Sequence, residues 1–87
     1  MSDCCAYCDR PFSDTLPRTK DHVVPRAAGG RKGKINITDA CSRCNHAKAN
    51  YGPARLRRMA RDHEKRAALL HQIADRAEQI IKERKLL

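Results

Sequence analysis

A chain of 87 residues with one Phe, two Tyr and no Trp allows one small domain and offers little bulky apolar material for a core. Its formal charge of +9, from 19 Lys+Arg against 10 Asp+Glu, favours a polyanionic partner such as nucleic acid, and no apolar run is long enough to span a membrane. Five cysteines, an odd number, fit paired disulfides poorly, and the start carries no apolar signal segment, so the chain reads as an intracellular, reduced protein held together by a metal.

The first organised feature is the turn Cys5-x-x-Cys8. Thr19 to Val24 then reads as a short strand. Arg26 to Lys34, with Gly29-Gly30 and Gly33, reads as a flexible basic turn, and Ile35 to Ala40 as a returning strand, making a hairpin with a long loop. Arg43 to Asn50 suits a short helix that begins inside the second knuckle, Cys41-x-x-Cys44. At Gly52-Pro53 a helix-stopping Gly precedes a Pro suited to a first helical turn, which divides the chain into segments 1–53 and 54–87. From Ala54 onward one long helix is expected. Leu56, Ala60, His63, Ala67, Leu70, Ala74, Ala77 and Ile81 follow a four-three spacing along it, widened by Leu69, Ile73 and Ile80. That stripe predicts docking on the zinc-bearing segment, on a protein partner or on a second copy, while Arg55, Arg57, Arg58 and Arg61 at the helix start extend a surface for DNA.

Zinc prefers four soft ligands in a tetrahedron, and each Cys-x-x-Cys turn presents two sulfurs to one ion. Cys5, Cys8, Cys41 and Cys44 form such a set, with 32 residues between the knuckles as room for a functional hairpin. Cys5 is favoured over Cys4 because its two-residue gap matches the second knuckle. Four thiolates fill the coordination sphere and leave no place for water, so this zinc is structural and any catalysis must use other groups. Between and just after the knuckles lie Asp21-His22 and Asn45-His46, an acid, imidazoles and an amide such as phosphodiester cleavage uses.

The fragments CAYCDRPF, TKDHVVPRAAGG and NITDACSRCNHAKAN, over roughly residues 4–52, stand in the order and approximate spacing found in the HNH endonucleases that carry Cys-x-x-Cys knuckles, and the chain resembles that family. The resemblance implies an α+β fold, the small ββα-metal core (His-Me finger) of two strands and a helix around one catalytic divalent ion, with the Cys4 zinc site and the C-terminal helix added. It implies His22 as general base, a role suited to an imidazole, which ordinarily titrates near neutrality. Asp21 and Asn45 would hold the catalytic ion, magnesium or manganese, with Asn45 favoured over His46 because it directly follows the second knuckle; the chain is then of the His-Asn-Asn kind. Asn36 would orient the catalytic imidazole. A regular strand turns Asp21 and His22 to opposite faces, so a strand end, bulge or strong twist is expected there. Lys48, three residues after Asn45, is read as a phosphate contact or, equally, a solvated surface lysine, and Arg26, Arg31, Lys32 and Lys34 as backbone-phosphate contacts from the loop. The resemblance further implies DNA as substrate and a bacterial or phage-infected cytoplasm. The rival reading is a zinc-containing DNA-binding or recruitment module without cleavage.

Overall fold

A computed structural model describes residues 3–86; Met1, Ser2 and Leu87, at the ends of the two expected segments, lie outside the described residues. Two strands, β1 (Arg18–His22) and β2 (Ile37–Cys41), pair antiparallel, with Arg18 opposite Cys41 and His22 opposite Ile37. Both are shorter than their apolar patterns suggest. β1 ends at His22 because Val23 and Val24 leave the ladder to bond Asn36 instead, through its carbonyl and its side chain. Asp39 fixes the register from the other strand, accepting from Arg18 and Lys20 at 2.6 Å each.

The helix α1 (Ser42–Lys48) follows β2 without a linker, and the Cys41 sulfur caps its first turn by accepting from the Cys44 N–H at 3.3 Å. The expected single C-terminal helix is instead two: α2 (Pro53–Asp62) and α3 (Ala67–Arg84), joined through His63 and a 3-10 turn at Glu64–Arg66. No Gly or Pro marks this break. A continuous helix over 53–84 would run about 48 Å, whereas the whole molecule measures 33 × 30 × 19 Å. Folding back lets Leu56 and Ala60 of α2 and Leu70, Ile73, Ala74 and Ala77 of α3 enter one buried cluster with Cys5, Tyr7, Val23, Val24, Ala40, Cys41, Cys44 and Ala47.

The apolar stripe is therefore covered largely by the chain itself. His63, its expected middle member, is exposed in the break, while Ala67, Leu69, Ile80 and Ile81 are half-buried. Polar ties complete the docking of α3. Arg76 donates to the Ala6 carbonyl at 3.3 Å and pairs with Asp9 of the first knuckle, and Arg84 donates to the Ile35 and Ile37 carbonyls at 3.2 and 2.7 Å. Among the described residues no helix is long and apolar enough to cross a membrane.

Candidate metal centre and nuclease cleft

The first knuckle is closed by its backbone. Cys5 N–H donates to the Arg10 carbonyl at 2.8 Å and Asp9 N–H to the Cys5 carbonyl at 3.0 Å, with Asp9 at φ +64°, a left-handed conformation that Asp tolerates better than most residues. Ala6 N–H reaches the Asp39 carbonyl at 3.0 Å and so hangs this turn on β2, beside the second knuckle. The sulfurs of Cys5, Cys8, Cys41 and Cys44 then lie within 4.8 Å of one another, with Cys8 and Cys41 at 3.8 Å. A Zn–S bond of about 2.3 Å implies a tetrahedral edge of about 3.8 Å. The set fits one zinc ion, and it contains Cys5 rather than Cys4, as the gap rule expects.

The electrostatics of Cys5, Cys41 and Cys44 agree with that chemistry. The Cys44 thiol, donating to Cys5, pulls Cys5 down to about 4, while the same bond drives Cys44 up and burial raises Cys41. So many thiolates cannot ionise together unless a cation supplies the counter-charge. The Tyr7 N–H to Cys5 sulfur contact at 3.4 Å and the Cys44 N–H to Cys41 sulfur contact orient two of the ligands.

A second centre lies at the end of β1. Lys20, Asp21, His22, Pro25, Arg26, Ala27, Asn45, Ala49 and Asn50 line a cleft of about 350 Å³. Asp21, buried, and His22, exposed, alternate as neighbouring strand residues do, and both are among the residues that line the cleft. Asn45 projects from α1 toward β1, its Nδ2 donating to Thr19 Oγ1 at 2.9 Å and to the Lys20 carbonyl at 3.4 Å. Its amide oxygen is the atom suited to a hard cation. Asn45, not its exposed neighbour His46, lines the cleft together with Asp21.

Three sequence expectations need correction. Lys48 is neither a phosphate contact nor a solvated lysine: its side chain is fully buried, donating to the His22 carbonyl at 2.8 Å and lying 3.2 Å from Asp21 Oδ2. Burial lowers its pKa and the adjacent Asp21 carboxylate opposes that effect. Asn36 does not bond the imidazole. Its buried amide accepts from Val24 N–H at 2.9 Å and donates to the Val24 and Arg31 carbonyls at 2.8 and 3.0 Å, clamping the chain just beyond His22. Arg57 points to α3, where Asp75 and Glu78 hold it at 2.7 and 2.9 Å, so its charge is paired within the protein.

The other basic residues are distributed unevenly. Arg26 lines the cleft, Arg31 and Lys32 are exposed on the loop, and Lys34 lines a separate hollow with Cys4, Lys20 and Arg84. Ala27 and Asn50 also belong to a neighbouring cleft lined by Tyr51, Arg55 and Arg58, which no acidic side chain enters among the described residues. There the Arg55 guanidinium lies over the Tyr51 ring at 4.2 Å. Arg61 sits farther along, beside the helix break. Lys20, Asn50 and Tyr51 were not singled out from sequence, although the four-residue spacing of Tyr51 and Arg55 is visible there.

A two-stranded hairpin followed by a helix, stapled by four cysteines and gathering an acid, an imidazole and an amide at one cleft, defines a zinc-knuckle ββα nuclease domain. A family model for HNH endonucleases matches residues 5–61, well over half of the chain, and the chain belongs to that family. No curated protein and no solved structure matches it significantly.

Proposed function

We propose that this protein is a metal-dependent endonuclease that hydrolyses phosphodiester bonds in DNA. The observation that carries this reading is the convergence of Asp21 and His22, from the end of β1, and Asn45, from α1, on one cleft. Asp21 and Asn45 would hold the catalytic ion. Bound there, a divalent ion supplies stabilisation of the negative charge that develops on the phosphate and the leaving oxygen. His22, exposed at the rim, takes the proton from the attacking water, and its place is set by the Asn36 clamp on Val24 and by Lys48 on its own carbonyl. Arg26 attracts the phosphate, and the adjacent cleft with Tyr51, Arg55 and Arg58 gives the strand a continuous basic path. Zinc in the four-cysteine site holds the fold and takes no part in the chemistry.

His22→Ala is expected to keep zinc content and DNA affinity while hydrolysis falls by about a hundredfold or more. The assay is nicking and linearisation of supercoiled plasmid in magnesium and in manganese, followed on a gel. Cleavage by the variant at near wild-type rates would move the base elsewhere. A wild-type protein that binds DNA but fails to cut it whatever divalent ion is supplied would make the chain a binding module.

A further inference from the structure

Three buried polar side chains from three different elements meet at one atom. The Tyr7 hydroxyl, from inside the first zinc knuckle, donates to Asp21 Oδ2 at 2.6 Å, and the Lys48 ammonium, from α1, lies 3.2 Å from the same oxygen. Tyr7 and the Lys48 side chain are fully buried and Asp21 is 5% exposed. Burial of this kind is expensive unless every charge is paired, and an apolar trio of similar volume would serve packing at least as well. Packing alone therefore does not account for the arrangement.

Its geometry does have a consequence at the cleft. Both contacts fall on Oδ2, so Oδ1 is the oxygen that Asp21 would offer to a hard cation. The charges of Asp21 and Lys48 cancel and Asn45 is neutral, so these three side chains offer a dication no net attraction. We propose that Tyr7 and Lys48 are positioning residues for the catalytic ion: they hold Asp21 with one oxygen toward the cleft, and the Lys48 ammonium opposes cation loading until a DNA phosphate adds its charge. This rests on the ion-site reading given above. Metal loading is thereby tied to substrate, and the carboxylate is tied through Tyr7 to the zinc knuckle.

The test is titration of the zinc-loaded protein with Mn²⁺ alone, without DNA, following the free-ion EPR signal. Wild type, Asp21→Asn, Tyr7→Phe and Lys48→Met are compared, with zinc content and NMR dispersion reporting the folded fraction. Removing a cation this close should tighten Mn²⁺ binding by Lys48→Met at least about tenfold. Losing the hydroxyl that anchors the carboxylate should weaken binding by Tyr7→Phe about tenfold. A purely structural role would lower stability and leave both affinities alone. Loss of binding in Asp21→Asn with Tyr7→Phe and Lys48→Met both within twofold of wild type would overturn the proposal and spare the ion site. Wild-type affinity in Asp21→Asn would remove the ion-site reading itself, and this inference with it. If Lys48→Met does not fold, the near-isosteric Tyr7→Phe decides alone, unchanged affinity overturning the proposal.

Discussion

Gly30 shows how tightly the loop beyond His22 is built. A Cβ there would lie 1.9 Å from the Val24 carbonyl oxygen and 2.9 Å from Asn36 Nδ2, so the loop passes through a gap that only glycine fits. Asn36 closes that gap from the other side. Gly30→Ala must push the Val24 carbonyl away and open the clasp beside the proposed base. A loss of about 2 kcal/mol or more in unfolding free energy is expected, together with faster hydrogen exchange at the Val24 amide. An unchanged denaturation midpoint would mean the loop relaxes freely. At this scale the sequence was informative about residue identity and less so about partners. Asp21, His22 and Asn45 share one cleft in the fold, whereas the Asn36 amide binds backbone whose path only the folded loop defines. Lys48 misled for a similar reason: its helix spacing from Asn45 is local, whereas its burial depends on Tyr7 and Asp21, 41 and 27 positions earlier in the chain.

Among the elements, α2 carries two different arginine faces, and the charge count alone did not separate them. Arg55 and Arg58 line the cleft next to Asn50, while Arg57 is turned to Asp75 and Glu78 on α3. Neutralising Arg55 and Arg58 together should lower the salt dependence of DNA binding by about two contacts' worth, a slope change of roughly 1 to 2, with little effect on Tm. Arg57→Ala should do the opposite, leaving the salt slope intact and lowering Tm slightly, because exposed ion pairs contribute little. Binding curves over a range of salt, paired with thermal melts, distinguish the two. Equal slopes for wild type and the Arg55/Arg58 variant would remove the second cleft from the substrate path. The strands, α1 and the helix start at Pro53 were legible from turn chemistry and period. The turn between α2 and α3 was not, since Arg61 to Arg66 contains no breaker, and the bend follows from the need to bring two apolar faces to one core.

For the whole molecule the open question is whether zinc holds one cooperative unit or two. The largest fully buried apolar side chains are few, chiefly Tyr7, Leu56, Leu70, Ile73 and Val23, and three of the four cysteines that could hold zinc are themselves in the buried cluster. Structural zinc in small sites contributes on the order of 10 kcal/mol of apparent folding free energy, comparable to the entire stability of an ordinary small domain, about 5–15 kcal/mol. α3 shares the cluster with the knuckles and is tied to the first of them by Arg76 on Ala6 and Asp9. Chelation of zinc, or Cys41→Ser, is therefore expected to unfold residues 5–84 together: helical circular dichroism and the dispersed amide signals of α3 should vanish in the same transition as those of β1 and β2. Retention of the α2–α3 helical signal after the strands have melted would divide the chain at Gly52-Pro53 into two separately folding segments, and dispersed signals throughout after complete zinc removal would deny the metal its structural role.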